Sequence, residues 1–397
     1  MDRLFVGIDV SKGTFSAAGL TDEGVEVFLI SGPMDATGYA SLAEAIRANC
    51  YDFSHVVAAM ESTGCYHITL YSFLLSAGIT TRVINPLLIP NFAKLSLRKT
   101  KTDKKDARTI GKFLMANEEA LSQVVISVDV QELRDLSLER ESLSHLIAAT
   151  KTEIKRILTT IFPELESIAI LYTRVMIDFL KKYPSARLVK EAKPKAIEKA
   201  PKRKGVGTKL TYCADDIIQA ARTSVAKSSP TKEVILRGKI ATLEHLEGRL
   251  KEITELLTEL CKSTMVEDFQ IITSVKGINS KTAAPFLAEL GSISNFSSYK
   301  KLIAYAGLDP SIHESGKFVG TRRLSKRGNR HLRRVVYLMT ACVVQRDTVF
   351  KVYFERRKRA GMTSQKALFA TAHKLIRVLF AMLTQRTFFQ SKEVMHG

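Results

Sequence analysis

Short apolar runs closed by turns fill much of the first 84 residues of this chain, and helical spacing governs nearly everything after residue 103. That change of period restricts the fold to a sheet-bearing part followed by a helical part. Residues 4–9 read as a buried strand, with two further strands at 14–20 and 24–31 joined by the turn Thr21-Asp22-Glu23-Gly24. Leu42, Ala45 and Ile46 give 37–48 helical spacing, 55–60 reads as a strand, 66–78 fits a helix, and a short strand at 80–84 stops at Asn85-Pro86. A further helix begins near Asp103, with Ala107, Ile110, Phe113 and Leu114 as its apolar stripe. Three strands followed by alternating helix and strand fit a mixed α/β sheet with helices on its faces.

From about 128 to 263 the pattern is helical. Leu133, Leu136, Leu143, Leu146, Ile147, Ile154, Leu158 and Ile161 lie on or near one face of a long helix that ends before Pro163. A second helix places Leu236, Leu243, Leu250 and Leu257 every seventh residue, with Ile240 and Ile253 alongside. Such a pair forms an antiparallel or intermolecular coiled coil, or a plain bundle within one subunit. Between the helices, residues 181–210 hold 11 Lys/Arg against two acids, with Pro184, Pro194 and Pro201, and read as a partly flexible basic arm. From about 268 a compact helix–turn–helix unit follows, its turn Val275-Lys276-Gly277-Ile278-Asn279 leading into a helix start that can present N–H groups to phosphate. The division expected is 1–125, 126–265 and 266–397.

Two of the early apolar runs end in acids: Leu4-Phe5-Val6-Gly7-Ile8 in Asp9, and Val56-Val57-Ala58-Ala59-Met60 in Glu61. Asp103 and Asp106 follow, three apart on one helical face. Oxygen donors of this kind suit Mg²⁺, and two such ions would stabilise both the attacking and the leaving oxygen of an in-line displacement, with Mn²⁺ able to substitute. Each acid also has a plainer role: Asp9 as a cap for the turn at Ser11-Lys12-Gly13, Asp103 and Asp106 as complements to a helix macrodipole. Lys101, Lys104 and Lys105 beside them can hold backbone phosphates.

The chain carries 60 Lys+Arg against 40 Asp+Glu, a formal charge of +20. That excess favours a polyanion, because neutralised phosphates release counterions, although it also serves solubility. Arg322, Arg323, Lys326, Arg327, Arg330, Arg333 and Arg334 form a run without an acid, and Arg356-Arg357-Lys358-Arg359 a second cluster. The five cysteines form no Cys-x-x-Cys pair, which argues against a disulfide framework or a structural zinc site. With no signal-peptide pattern and no run near 18 apolar residues, a cytosolic, nucleoid-associated protein without a membrane span is expected.

The strings Gly7-Ile8-Asp9-Val10-Ser11-Lys12, Glu61-Ser62-Thr63-Gly64-Cys65-Tyr66 and Lys101-Thr102-Asp103-Lys104-Lys105-Asp106-Ala107 resemble those of the DEDD transposases. These are RuvC-like recombinases of bacterial insertion sequences, the IS110 family, with Piv-type DNA invertases as relatives. Ala304-Tyr305-Ala306-Gly307-Leu308-Asp309-Pro310, Glu314-Ser315-Gly316 and Leu324-Ser325-Lys326-Arg327-Gly328-Asn329 resemble the family's C-terminal transposase domain. The resemblance implies an N-terminal RNase H-like (RuvC-like) sheet, a helical coiled-coil middle and a C-terminal helical domain with a helix-hairpin-helix-like unit. Lys276 and Asn279 depart from the Pro and Gly such units favour; Lys276 can add a phosphate contact and Asn279 tolerates a left-handed conformation.

It implies further that Asp9, Glu61, Asp103 and Asp106 bind divalent metal and that Ser315 is the nucleophile, with Ser325 the competing choice. Tyr305, Arg322 and Arg323 rank behind them as groups that orient DNA. The partners implied are donor and target double-stranded DNA and a structured noncoding guide RNA, handled by a homodimer or, when two duplexes are held, a tetramer. A junction-resolving or repair endonuclease on the same acids, acting without a covalent intermediate, is the rival. An actin-like phosphotransferase and a pure binding scaffold fit less well, the first for want of a second phosphate loop and the second for want of a reason for four acids.

Overall fold

The computed structural model describes residues 3–61, 66–84, 89, 92, 103–118, 128–198, 214–311, 314–315, 318–319, 323–325 and 328–390; for a few of them, Asp103 and Ser315 included, the backbone alone. The chain divides into two compact units, 1–125 and 126–397.

The first unit is built on five strands: β1 (Leu4–Val10), β2 (Thr14–Thr21), β3 (Glu26–Pro33), β4 (Val56–Glu61) and β5 (Thr80–Ile84), in the order β3-β2-β1-β4-β5. β2 is antiparallel to β1 and β3, whereas β4 is parallel to β1 and β5. Gly24, at a φ of 81°, closes the β2–β3 turn and delays β3 to Glu26. Helices α1 (Ala36–Asn49), α2 (His67–Ser76) and α3 (Asp103–Asn117) pack on this sheet. Asp35 caps α1 by accepting from the Thr37 and Gly38 N–H groups, and the Tyr39 and Thr69 hydroxyls join α1 to α2 at 2.7 Å. Of the stripe, Ile110, Phe113 and Leu114 are buried against Phe5, Leu20, Val57, Ala59 and Ile84, and Ala107 is buried beside Gly7.

In the second unit, α4 (Val128–Ile161) and α10 (Pro230–Thr264) pair within the chain. Arg140 lies level with Thr254 (3.3 Å), Lys151 with Glu247 (2.8 Å) and Thr160 with Lys232 (3.0 Å), so the two run antiparallel. Leu236, Ile240, Leu243, Ile253 and Leu257 are buried, while Leu250 is only partly so. Leu146 is 50 % exposed and takes no part in the seam.

The region at 181–198 is folded rather than an arm. Helices α5 (Leu165–Ile168), α6 (Arg174–Lys182), α7 (Ala186–Glu191), α8 (Pro194–Glu198) and α9 (Ala214–Thr223) surround the tip of the hairpin. Leu180, Ala186, Val189 and Ile197 join Ile154, Leu158 and Leu236 in its core. Its cations find acids from distant sequence: Arg187 meets Glu233 at 2.8 Å, and Lys181 pairs with Glu244. The rest of the expected arm, 199–210, lies outside the described residues.

A second core gathers the open end of the hairpin (Leu133, Leu257, Cys261) with α11 (Val266–Thr273), α12 (Ser280–Leu290), α13 (Tyr299–Tyr305), α14 (Arg330–Arg346), α15 (Thr348–Arg359) and α16 (Ser364–Gln385). By length and composition α16 could cross a membrane, but Leu375, Ile376, Leu379 and Leu383 are fully buried in this core. In the α11–α12 turn, Gly277 takes the positive φ (101°), while Asn279 is extended and caps α12. This corrects the expectation for Asn279: its side chain accepts from the Thr282 N–H and the Thr282 hydroxyl accepts from its own N–H, a reciprocal capping box.

Candidate carboxylate centre and nucleic-acid interface

Strand register decides where the early acids lie. Gly7 pairs with Ala59 and Ile8 with Met60 across the parallel β1–β4 ladder, so Asp9 and Glu61 occupy the next rung. Side chains alternate along a strand, so Asp9 shares a face with Phe5 and Gly7, and Glu61 with Val57 and Ala59. That is the face α3 covers. Neighbouring strands sit about 4.8 Å apart, which makes the two half-buried carboxylates direct neighbours.

The helix is laid down in one direction and very close. Arg3, just before β1, pairs with Glu118, just after α3, so the C-terminal end of α3 lies at the start of β1. Further along, the backbone of Gly7 abuts Ala107 and Gly111; a Cβ on Gly7 would lie 2.7 Å from the Gly111 Cα and nearer still to the Ala107 carbonyl and the Gly111 nitrogen. Arg108 fixes the rotation of the helix with two hydrogen bonds to Glu26, at 2.5 and 2.9 Å. α3 therefore runs antiparallel to β1 and brings its N-terminus toward Asp9.

The rises agree. Asp9 lies roughly 7 Å beyond Gly7 along the strand, and Asp103 roughly 6 Å beyond Ala107 along the helix. Asp106 is half-buried; Asp103 opens the helix, and its side chain lies outside the described residues. Among the described residues no three His, Cys, Asp or Glu side chains close to metal-binding distance. Among the described residues the candidate donors at this edge are carboxylate oxygens, a set that suits Mg²⁺ or Mn²⁺ rather than a thiophilic ion. Lys104 is exposed and Lys105 half-buried beside them, and Lys101 lies outside the described residues.

The two serines stand differently. Asp309 follows α13 and Gly307, and β6 (Pro310–Ser311) leaves from it to pair with β9 (Arg323–Leu324). Ser325 closes the base of this excursion: its N–H donates to the Asp309 carbonyl at 2.9 Å and its hydroxyl to Asp309 Oδ1 at 2.6 Å. Ser315 lies within the excursion, in β7 (Glu314–Ser315), which pairs antiparallel with β8 (Phe318–Val319). The Ser325 hydroxyl is thus engaged in holding the loop base, and the Ser315 side chain lies outside the described residues.

Basic residues on this side divide as well. Arg330 is exposed at the first turn of α14, and Lys276 is exposed in the α11–α12 turn. Arg333 donates to the Ala306 carbonyl at 3.1 Å and Arg334 to Glu141 at 3.1 Å, so both are occupied within the fold. Arg323 is placed by its backbone in β9, whereas Arg322, Lys326 and Arg327 lie outside the described residues. A buried carboxylate that no motif marks also lies here: Glu289, 4 % exposed, accepts from the Asn329 side-chain amide at 2.8 Å, and that Asn329 also caps α14. An acid in the apolar run of α12 was the available signal.

Two family models match the chain. Residues 6–163 match that of the IS110-type DEDD transposases, and residues 269–355 that of the IS116/IS110/IS902 transposase family. This chain belongs to the IS110 transposase family. The first match contains Asp9, Glu61, Asp103 and Asp106, and the second contains Ser315 and Ser325. Among relatives of this transposase, a protein of insertion element IS110 from Streptomyces coelicolor is 26 % identical over 98 % of this chain and 96 % of its own length. A protein of insertion element IS116 from Streptomyces clavuligerus is 25 % identical over 98 % and 96 %. The pilin gene-inverting protein of Moraxella lacunata is 23 % identical over 99 % of both chains. The two family models, together with these insertion-element and gene-inverting relatives, support a transposase or recombinase of an insertion element.

Proposed function

We propose that this transposase breaks and rejoins DNA strands through a covalent serine–DNA intermediate, using divalent metal held by Asp9, Glu61, Asp103 and Asp106. The observation that carries the reading is the shared rung of Asp9 and Glu61, on the face toward which α3 brings Asp103 and Asp106. The strand order β3-β2-β1-β4-β5, with three antiparallel strands and two parallel ones, supports an RNase H-like (RuvC-like) assignment of the first unit.

When bound, Mg²⁺ supplies a positive charge that stabilises the attacking and leaving oxygens. The four carboxylates orient that charge. The Ser315 hydroxyl loses its proton as its oxygen bonds to phosphorus, and one DNA oxygen leaves as a hydroxyl. A hydroxyl of the partner strand then attacks the same phosphorus and returns the serine. Phosphodiester energy is conserved throughout, so no outside energy source is needed. The Ser325–Asp309 bond supports Ser315 as the nucleophile, because Ser325 has a structural task.

The charge of +20 supports binding of both the DNA and a structured noncoding guide RNA. On the same reading the protein acts in the bacterial cytosol, as a dimer or tetramer. The test uses a nicked suicide substrate in Mg²⁺ buffer. Wild type should give a protein–DNA adduct that survives denaturant. Ser315→Ala should lose the adduct yet keep DNA binding, Asp9→Asn and Asp106→Asn should lose it while folded, and Ser325→Ala should weaken it less. An adduct that persists in Ser315→Ala and vanishes in a folded Ser325→Ala would reverse the serine assignment. Free cut ends with no adduct in any variant would hand the site to a hydrolytic nuclease.

A further inference from the structure

Every residue of α12 from Ala283 to Leu290 is buried, and Glu289 is the one acid among them. A carboxylate costs far more to bury there than an apolar side chain, so its partners have to account for it. Among the described residues both are neutral donors: the Asn329 side-chain amide at 2.8 Å from Oε2, and the Ser137 hydroxyl at 3.5 Å from Oε1. Asn329 stands where the chain returns from the excursion that carries Ser315.

The plainest explanation makes Asn329 a helix cap and Glu289 its bystander. Asn329 Oδ1 accepts from the His331 and Leu332 N–H groups at 2.9 and 3.0 Å, as a cap does. A cap requires no carboxylate behind it, however: Asn279 caps α12 by exchange with Thr282. The carboxylate adds a choice. Its oxygens accept, so they fix which end of the Asn329 amide donates and which end faces α14. Asn329 also ties down the chain. Its N–H donates to the Tyr305 carbonyl at 2.7 Å, and its amide nitrogen lies 3.4 Å from the Tyr305 hydroxyl. Gly328, at a φ of 152°, packs beside it: a Cβ there would stand 2.8 Å from the Gly307 nitrogen and nearer still to the Tyr305 carbonyl. Behind Glu289, Arg134 of α4 donates to the Ala288 carbonyl at 3.2 Å and braces α12. The excursion thus leaves α13 through Gly307 and Asp309 and returns onto Tyr305, the last residue of that helix.

We propose that Glu289 is a positioning residue for the serine reaction: its carboxylate holds the Asn329 amide, and through it the returning end of the excursion that carries Ser315. The inference rests on the serine chemistry proposed above and is independent of the metal ligands. Glu289 acts on the reaction through Asn329 and the backbone that follows Gly328, and a nucleophile misplaced by about 1 Å can lose on the order of 100-fold in rate.

The test follows adduct formation by the full-length protein on the suicide substrate, under single turnover at saturating DNA and at a temperature where every variant is folded. Glu289→Gln keeps an acceptor for the Asn329 amide and should react at close to the wild-type rate. Glu289→Met fills similar space without an acceptor and should lower the rate constant on the order of 10- to 100-fold with DNA affinity unchanged. Asn329→Ser keeps a helix cap but not the amide, and should fall by a similar factor; it carries the test if Glu289→Met does not fold. Combining the two should add little, because both break one hydrogen bond. Folded Glu289→Met and Asn329→Ser proteins that react at the wild-type rate would overturn the inference and leave the serine reading in place. A loss confined to DNA affinity would overturn it too, as would a Glu289→Gln protein as slow as Glu289→Met. A wild type that yields cut ends and no adduct would refute the serine reading, and this inference with it.

Discussion

Substituting Gly7 with alanine tests how the carboxylate centre is built. The new Cβ would stand 2.7 Å from the Gly111 Cα, where ordinary contact begins at 3.4 Å, and closer still to the Ala107 carbonyl and the Gly111 nitrogen. All of these are backbone atoms that cannot rotate aside. The helix must therefore withdraw by about an ångström, loosening Ala107, Ile110 and Leu114, which are 0 % exposed. Overpacking of this kind costs roughly 1–3 kcal/mol, and the rigidity of the obstacle argues for the upper end. In a unit of this size that lowers the melting temperature by about 10 °C. Activity should suffer more than stability, because Asp103 and Asp106 travel with the helix and a misplacement of about 1 Å can cost on the order of 100-fold. The measurements are thermal melting and single-turnover DNA cleavage, at a temperature where the variant is fully folded. Gly13→Ala is the control, since nothing lies within 4 Å of a Cβ there. A Gly7→Ala protein that melts within a degree of wild type and cleaves normally would refute the proposed delivery of the two aspartates by close packing.

Two further outcomes follow from the second unit. Asn279→Ala removes one half of the α12 capping box and should cost about 1 kcal/mol, with Asn279→Gly costing less; equal melting of all three proteins would show the cap to be idle. The tip core should loosen in acid. Burial alone would push the Glu233 carboxyl up, but the Ser185 hydroxyl and the Arg187 guanidinium more than reverse this and hold it below the ordinary carboxylate range. A depressed folded-state pKa adds stability that is complete above the unfolded value and is lost as pH falls through the folded one. The protection of α10 amides near Leu236, taken relative to their intrinsic exchange rates, should therefore fall as pH drops below the ordinary carboxylate range, and Glu233→Gln should flatten that response. Identical profiles in both proteins would remove the triad as its cause.

Where periods were long, the sequence was readable. β1 to β5, the α3 stripe and both long helices of the hairpin follow from apolar spacing alone, and the pairing of Asp9 with Glu61 follows once the two strands are parallel and in register. Leu146 misled because a helix drifts about 20° per heptad against a fixed seam, so an apolar residue can fit a face locally and leave it over 34 residues. Residues 181–198 misled because their helices are too short to show a period, and because the acids that neutralise Arg187 and Lys181 come from α10. Asn279 suits a turn by composition, but the positive φ falls to Gly277, where an added Cβ would lie 2.8 Å from the Cys342 carbonyl. Gly7 itself stood in plain view beside Asp9, yet its reason exists only in the helix that crosses it.

The antiparallel hairpin has an architectural consequence. α4 enters the tip core and α10 leaves it at the same level, with Thr160 and Lys232 in contact, so everything between them is an excursion that begins and ends at one point. Its two ends are held together by the hairpin seam below, and the loop-closure entropy is therefore already met before the tip folds. Because that cost grows only slowly with length, the tip is the place where this chain can gain, lose or exchange a module while the core at the other end of the same two helices stays intact.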